Sequence, residues 1–312
     1  MAGTAPNSPA SPAPEPGADT GVTAPSLARG DEESVPYDDE LVAVDLTARE
    51  RGLLATGLLL WGGPARCTEA MAFAMGFDSV DDLLGQYDRL KGLLGRKKKP
   101  MSRTDWARTL LATEVCFASV IVGAGLAWGD DVSTLRALRI VQSKIATAGA
   151  LTAWEGCRYP TDVCRVAARR DRGQYVTNND ELVEVALTTA ESSLLVTGLG
   201  DLWGPAAPTD AMAIAIGFDS VEDLIDQYDR LKDLIQRRAA LMSITDWIRT
   251  LLATEISTVS WVEGAGGEWG SAVDDASIQA LRGLQEKLAR MGALGRTRSA
   301  VDPADSAPTE AR

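Results

Sequence analysis

The sequence predicts an all-α protein built as a tandem duplication of a roughly five-helix domain, with disordered N- and C-terminal tails. The first observation is a stretch that occurs twice, at 101–114 and 242–255, with the shared pattern Met-Ser-x-Thr-Asp-Trp-x-Arg-Thr-Leu-Leu-Ala-Thr-Glu. The second is that this stretch lies within a much longer match without gaps, in which Gly76 aligns with Gly217. A long repeat at one offset indicates a duplicated domain and not an array of short units. The third is that helix-capping residues precede the apolar runs of both copies.

The repeated stretch predicts the beginning of a long, largely buried helix. Ser102 stands where an N-cap residue belongs, and its hydroxyl can accept a hydrogen bond from the amide three residues on. Asp105 can return a bond to the cap, and it also faces the positive end of the helix dipole. Met101 and Trp106 are placed to form a hydrophobic staple across the cap. The second copy repeats all four residue types, so we expect a second central helix there.

The first helix of each copy is predicted by a capping box. Thr47 and Glu50 have this pattern in the first copy, and Thr188 and Glu191 have it in the second. The residues just before the first box, Leu41–Leu46, fit an extended segment and a helical one equally well.

The other helices are predicted from caps, glycines and apolar spacing. A short second helix is expected from Thr68 and from Thr209, ending at Gly76 and Gly217 as left-handed C-terminal residues. The third helix has one apolar stripe at helical spacing, which should face the core. Its members are Val80, Leu83, Leu84, Tyr87, Leu90 and Leu94 in the first copy and Val221, Leu224, Ile225, Tyr228, Leu231 and Ile235 in the second. A fifth helix follows the central one, with Leu135, Leu138, Val141 and Ile145 or Ile278, Leu281, Leu284 and Leu288 on its apolar face.

These elements and the composition of the flanks divide the chain into five regions. Pro, Ala, Ser and Gly dominate the N-terminal segment, which cannot bury enough apolar surface to offset the entropy of ordering. The regions are a disordered tail at 1–36, a first helical repeat at 37–151, a linker at 152–178, a second helical repeat at 179–294 and a disordered tail at 295–312.

Composition limits the classes of function. The 312 residues have a formal net charge of −13 and no histidine. The absence of histidine removes the commonest general base and the commonest neutral metal ligand. The acidic balance disfavours a general role on nucleic acid or on an anionic membrane surface. Four cysteines without a Cys-x-x-Cys motif, and an N-terminus without a secretory signal, favour a cytoplasmic protein with reduced thiols.

The first central helix is apolar enough to suggest a membrane span, but its counterpart is not. Glu255, Glu263 and Glu268 all fall in the matching run of the second copy. A charge at bilayer depth costs about 2.5–3.5 kcal/mol even on lenient scales. The sequence therefore predicts no membrane span.

Glu114 and Glu255 are the candidate site residues, because each is a carboxylate in a mostly apolar helix. An unpaired buried carboxylate would become neutral, so a partner is expected. Arg89 or Lys91 of the third helix, or Arg139 or Lys144 of the fifth, could supply it, and each has a counterpart in the second copy, Arg230 for Arg89. One interpretation is a buried ion pair that fixes the helix register. The other is a carboxylate site for a metal or a polar ligand, formed by Glu114, Glu255, Arg89 and Arg230.

Two charged surfaces are candidate contact regions. Asp88 and Lys91 on the third helix, with Asp229 and Lys232 in the second copy, form a solvated face that could also dock a protein. The basic run at Lys97, Lys98 and Lys99 allows a local nucleic-acid contact, but it falls at a predicted helix end, where cations are favoured by the dipole.

No catalytic residue, metal-ligand set or cofactor motif is predicted, and an enzyme is the less favoured reading. The leading hypothesis is a non-enzymatic, acidic, cytosolic interaction or scaffold protein with two similar surfaces for a protein partner. The alternative is a small-molecule-binding or metal-binding helical domain, with possible enzymatic activity, that uses Glu114 and Glu255. Oligomeric state does not follow from the sequence.

Overall fold

The structure is a computed structural model, which describes residues 40–125, 128, 131–151, 160–175, 181–202, 208–237, 239–265 and 271–294. Within 171–175 and 271–274 it describes the backbone alone. The two predicted tails, 1–36 and 295–312, lie outside the described residues. Below, residues 40–151 are called the first half and residues 181–294 the second half.

Helices make up most of the described residues, so the prediction of a mainly helical protein is confirmed. Eleven α-helices are present in the described ranges. They are α1 (Ala48–Leu60), α2 (Glu69–Ala74), α3 (Val80–Leu94), α4 (Arg103–Ala118), α5 (Asp131–Thr147), α6 (Thr161–Tyr175), α7 (Thr189–Asp201), α8 (Asp210–Ile216), α9 (Val221–Ile235), α10 (Ile244–Val259) and α11 (Ser271–Arg290). None of the helices in these ranges combines the length and the apolar character needed to span a membrane.

Two small antiparallel sheets depart from a purely helical fold. β1 (Leu41–Val42) pairs with β2 (Met101–Ser102), with Leu41 opposite Ser102. β3 (Leu182–Val185) pairs with β4 (Ala240–Ser243), with Leu182 opposite Ser243. The segment that begins at Leu41 is therefore extended at its start and not helical. Each sheet holds the chain before the first helix of its half against the N-terminus of the central helix.

The predicted helix starts and ends are found where local chemistry placed them. The hydroxyl of Ser102 accepts from the amide of Asp105 at 3.1 Å, and both predicted capping boxes are formed. Gly76 and Gly217 have positive φ values of 84° and 115°. One detail differs: the carboxylate of Asp105 does not return to its cap, because it accepts two hydrogen bonds from Arg89.

The two central helices α4 and α10 are buried along most of their length, as predicted. α4 packs against α1 and α10 packs against α7, while α4 and α10 also contact each other. α5 and α11 lie against one another, and so do α2 and α8. The two halves therefore meet through three pairs of helices.

A helix occupies the predicted linker. α6 lies within 152–178 and packs against both α2 and α8. Cys164, Ala167 and Ala168 are buried and belong to the core. The arginine-rich sequence of α6 obscured this, since only these small side chains mark its buried face.

Candidate functional site

Glu114 lies on α4 and is only 1% exposed. Its Oε1 accepts hydrogen bonds from Gln142 Nε2 at 2.7 Å and from the backbone amide of Trp261 at 3.1 Å. Its Oε2 accepts from the hydroxyl of Ser260 at 2.6 Å. Gln142 belongs to α5 of the same half, whereas Ser260 and Trp261 follow α10 in the other half. The carboxylate therefore joins the two halves.

Glu255 occupies the corresponding place on α10 and has no exposed surface. Its Oε1 accepts from Gln285 Nε2 at 2.6 Å and from the backbone amide of Val120 at 3.2 Å. The hydroxyl of Ser119 also acts on the carboxylate and lowers its pKa. Its Oε2, however, has no hydrogen bond of good geometry among the described residues. The contacts again run from one half to the segment that follows the central helix of the other.

Two arginines complete the arrangement without touching the glutamates. Arg139 of α5 donates to the carbonyls of Thr258 and Val259 at the end of α10, at 2.7 and 2.9 Å. Its NH1 also donates to the Oε1 of Gln142 at 3.1 Å. The last carbonyls of a helix lack partners within the helix and lie at the negative end of its dipole, so a cation is stabilised there.

Arg282 of α11 does the same for the end of α4. It donates to the carbonyls of Phe117 and Ala118 at 2.8 and 3.0 Å, and to the Oε1 of Gln285 at 2.9 Å. We call this whole set the inter-half network. Its members are Glu114, Arg139, Gln142, Ser260, Trp261, Glu255, Arg282, Gln285, Ser119 and Val120.

Burial raises the pKa of both glutamates to about 7. For Glu114 this effect is opposed by hydrogen bonds from Ser260, Gln142 and the Trp261 amide, and by the charge of Arg139. For Glu255 the opposing groups are Ser119, Gln285, the Val120 amide and Arg282. Burial dominates because neither arginine donates to Glu114 or Glu255: Arg139 donates to carbonyls and to Gln142, and Arg282 donates to carbonyls, to Gln285 and to Asp131.

The structure does not bring Arg89 and Arg230 to the glutamates. Arg89 forms a bidentate ion pair with Asp105, with hydrogen bonds of 2.6 and 2.7 Å. Arg230 forms a corresponding bidentate ion pair with Asp246, with both hydrogen bonds at 2.9 Å. Arg139, the candidate from the fifth helix, is the arginine that acts on Glu114.

The other candidate partners also lie elsewhere. Lys144 donates to both oxygens of Glu50 at 2.7 Å. Lys91 lies over the ring of Tyr87, with its Nζ 5.1 Å from the ring centroid.

Sequence reasoning missed the two glutamines and the two serines. Gln142 and Gln285 are fully buried polar residues on the apolar faces of α5 and α11. The two glutamines align with each other in the repeat and lie beside the apolar stripe of their helices. That pattern could have indicated that each has a buried polar partner. Ser119 and Ser260 gave no such signal, because serine after a helix is common on surfaces.

Neither glutamate lines the open cleft found among the described residues. That cleft, of about 250 Å³, lies between the start of α1 and the outer face of α5. Its lining includes Glu50 and Arg136, which are already paired with Lys144 and Asp275. Within the described residues, no group of three or more cysteine, aspartate or glutamate side chains is arranged to hold a metal ion.

The predicted docking residues are on the surface of the molecule. Asp88 and Lys91 are exposed on α3, and Asp229 is exposed on α9. Lys232 is partly exposed and lies over the ring of Tyr228, with its Nζ 5.5 Å from the centroid. The lysines therefore contact tyrosine rings.

Each docking face also has an exposed apolar side chain. Leu84 on α3 is 41% exposed, and Ile225 at the corresponding place on α9 is 44% exposed. Both belong to the apolar stripe that was predicted to face the core. They lie at the edge of the stripe, because the stripe covers a wider arc of the helix surface than the neighbouring elements bury.

The basic run follows the end of α3, as predicted. Lys98 forms an exposed ion pair with Asp45 at 3.2 Å, and Lys97 is exposed. Lys99 is partly buried. One of the three charges is thus already opposed by an acid of the chain itself.

Comparison with known proteins does not supply a function: no family model, no curated protein and no solved structure matches the chain. What the protein does is therefore inferred from its own residues.

Proposed function

We propose that the protein is a non-enzymatic interaction or scaffold module that binds a protein partner through the outer faces of α3 and α9. The observation that carries this proposal is a surface stripe, exposed except for the partly exposed Lys232, with the same order of residue types on both helices: acid, apolar, acid, lysine. The stripe consists of Asp81, Leu84, Asp88 and Lys91 on α3 and of Glu222, Ile225, Asp229 and Lys232 on α9. An apolar anchor within a charged rim is typical of a protein-docking surface.

The charge of the faces defines the chemistry of the partner. α9 has five acidic and two basic residues, and α3 has three acidic and two basic ones. A partner segment with basic residues around one apolar side chain would complement both faces. Since each half has one face, a partner with two such segments would bind with an effective concentration set by its linker.

The two halves are, in this proposal, copies of one ancestral domain, with boundaries at 37–151 and 179–294 joined by residues 152–178. The supporting facts are the long match in sequence and the paired capping serines, Ser102 and Ser243, which accept from amides at the same distance of 3.1 Å.

A cytoplasmic location belongs to the same proposal. Cys116 is a free, buried thiol on α4. Free thiols are typical of reducing compartments.

A structural role for the two buried glutamates favours the interaction module over the alternative, in which Glu114 and Glu255 bind a ligand. Both carboxylates are buried and accept hydrogen bonds from their own chain. Polar groups in this setting stabilise a unique packing when they are satisfied.

The test is an affinity capture from native lysate followed by direct binding to the purified partner. Wild-type protein is compared with a double variant, Leu84→Lys and Ile225→Lys, which replaces both apolar anchors with a residue that favours helix. Val166→Lys on α6 is the control, because Val166 is an exposed apolar residue outside both faces. We expect a specific protein to be retained by the wild type and the control, and its affinity to fall at least tenfold for the double variant.

Single variants test the two-face arrangement. Each should reduce the affinity for a two-segment partner by less than the double variant does. Equal retention by wild type and double variant would exclude these faces. A small molecule that co-purifies with the wild type, but not with a folded Glu114→Gln, Glu255→Gln variant, would move the function to a ligand site at the glutamates.

A further inference from the structure

The open cleft of about 250 Å³ lies where the first turn of α1 meets the outer face of α5. α1 contributes Thr47, Arg49 and Glu50 to its lining. α5 contributes residues spaced three or four apart, which therefore share one side of the helix. They are Ser133, Arg136, Ala137 and Ile140. Pockets that hold drug-sized ligands measure roughly 300–1,000 Å³, so this cleft has room for a smaller molecule.

Arg49 brings an unopposed positive charge to the cleft. Its side chain is exposed, and it forms no hydrogen bond or ion pair with the described residues. The chain has a formal net charge of −13, so acids that could pair with an arginine are abundant. An arginine without an acidic partner in such a chain has its guanidinium available for an external anion.

Arg136 has unused donors in the same cleft. Its Nε donates to Asp275 of α11 at 3.1 Å, and its NH2 donates to the other oxygen of that carboxylate. A guanidinium carries five N–H groups, so this ion pair does not use all of them. NH1 forms no hydrogen bond with the described residues, and its N–H groups remain available beside the ion pair.

Glu50 is the one acid among the described residues of the lining, and its carboxylate is already satisfied. Lys144 donates to both oxygens at 2.7 Å, and the amide of Thr47 donates to Oε2 at 2.8 Å. Lys144 thus balances Glu50, as Asp275 balances the charge of Arg136. The charge of Arg49 remains, so the cleft carries one net positive charge.

Ala137 and Ile140 add an apolar patch to the cleft. Ile140 is 52% exposed, although it is a large apolar side chain. The core is contacted by the opposite side of α5, through Leu135, Leu138 and Val141. Ile140 therefore has no packing role in the core, and a ligand that covered it would gain free energy by removing apolar surface from water.

The second half has the same ion pair at this place but not the same cleft residues. Lys287 and Glu191 pair as their counterparts in the first half do, and α11 packs against α7. The arginines and the isoleucine are absent from the aligned positions. Arg49, Arg136 and Ile140 correspond to Ala190, Gln279 and Gly283. Packing of a fifth helix against a first helix thus does not require these three side chains.

We propose that this cleft binds a small organic monoanion, a carboxylate attached to an apolar group. The carboxylate contacts Arg49 and the NH1 of Arg136, and the apolar group covers Ala137 and Ile140. A planar guanidinium can donate two parallel N–H bonds to a carboxylate, which favours this class of anion. One net positive charge matches a monoanion, whereas a phosphate dianion would leave one negative charge without a counter-charge. The site is independent of the proposed docking faces on α3 and α9.

The experiment is a titration of the full chain with benzoate at neutral pH, followed by nitrogen-15 NMR. Benzoate carries a planar carboxylate on a small apolar ring. The amides of Arg49, Glu50 and residues 133–140 should shift until the site is saturated. The amides of Ala190, Glu191 and residues 276–283 are the reference in the same spectrum, because the second half lacks the arginines. They should not show saturable shifts.

Two further ligands separate the charge from the apolar group. Benzamide has the same ring with a neutral amide in place of the carboxylate, so it should bind about tenfold more weakly than benzoate. Inorganic phosphate has charge without an apolar group and should also bind more weakly. Phosphate that bound as tightly as benzoate would overturn the assignment of an apolar carboxylate.

Three single substitutions test the residues. Arg49→Ala should weaken benzoate about tenfold or more, because it removes the charge that has no internal partner. Alanine stands at the aligned position of the second half and favours helix, so α1 should still form. Arg170→Ala is the matched control, since Arg170 is an exposed arginine of α6 outside the cleft, and the affinity should not change. Ile140→Ala should weaken benzoate about fivefold and leave phosphate unaffected.

Two results of the titration would overturn the proposal. One is equal affinity of the wild type and Arg49→Ala for benzoate. The other is the absence of saturable shifts at the first-half amides, or shifts of the same size at the second-half reference amides.

Discussion

Arg282 is a buried cation that joins the end of one central helix to the fifth helix of the other half. It is among the buried residues, and its guanidinium donates to two carbonyls at the end of α4, to Gln285 and to Asp131. The same group lies 5.0 Å from the centroid of the Phe117 ring. A cation at this position donates to carbonyls that have no partner within α4. Its charge also lowers the pKa of Glu255 and so opposes the effect of burial on that carboxyl.

Arg282→Met should therefore cost more stability than a lost surface charge. The substitution keeps apolar bulk but leaves the α4 carbonyls, Gln285 and Glu255 without the cation. Breaking one member of a buried charged arrangement costs about 3–5 kcal/mol. Urea unfolding of both proteins measures the difference.

Arg290→Met is the control for this prediction. Arg290 is exposed near the end of the same helix, so its loss should change the free energy of unfolding by less than about 0.5 kcal/mol. Equal effects of the two substitutions would show that the buried contacts of Arg282 add nothing to stability.

The approach of α1 to α4 depends on a glycine. A Cβ added at Gly57 would lie 2.5 Å from Oγ1 of Thr113, far inside van der Waals contact. The same relation holds between α7 and α10, where a Cβ at Gly198 would lie 2.7 Å from Cγ2 of Thr254. Each glycine thus allows the first helix of its half to pack closely on the central helix.

Gly57→Ala should destabilise the protein although alanine favours helix. The gain in helix propensity is about 1 kcal/mol, whereas overpacking against the buried Thr113 costs about 1–3 kcal/mol. We expect a net loss, measured as a lower midpoint of urea unfolding.

Gly52→Ala on the same helix separates the two effects. Nothing lies within 4 Å of a Cβ at Gly52, so only the propensity gain applies. This substitution should stabilise by about 0.5–1 kcal/mol. If both substitutions stabilised the protein, the close packing of α1 on α4 would not require a glycine at position 57.

At the scale of the whole molecule, two sets of carboxylates act on stability in opposite directions. In the first set, burial alone would raise the pKa of each carboxyl, but hydrogen bonds and nearby cations have the larger combined effect. The net result is a pKa below the ordinary value. The members of this set are Glu50, Asp82, Glu191 and Asp246. For the second set, Glu114 and Glu255, burial prevails and the pKa is raised to about 7.

The free energy of unfolding should therefore be largest at about pH 5. Groups with a lowered pKa contribute stability above their unfolded pKa and lose it as the pH falls. Groups with a raised pKa contribute below theirs and lose it as the pH rises through about 7. Thermal unfolding between pH 3 and 9 measures this curve.

Replacing both glutamates provides the check. In the Glu114→Gln, Glu255→Gln variant, the decline above pH 5 should flatten, while the decline below pH 4 should remain. A curve that keeps its full decline above pH 5 would contradict the assignment of that side to the two glutamates.

Local sequence determined most helix boundaries of this protein. The hydroxyl of Ser102 and the capping box of Thr47 with Glu50 act over three residues, so they can be recognised without knowledge of the fold. The positive φ of Gly76 and Gly217 is equally local, because only glycine adopts it without strain.

The tertiary structure alone decided the strands, α6 and the partners of the glutamates. β1 pairs over two residues, which is too short for an alternating pattern, and α6 is apolar only through small side chains. The serine that binds Glu114 is 146 residues away along the chain, and the amide that binds Glu255 is 135 residues away. Caps and propensities cannot specify contacts at that separation, because those contacts depend on how the helices of the two halves pack against each other.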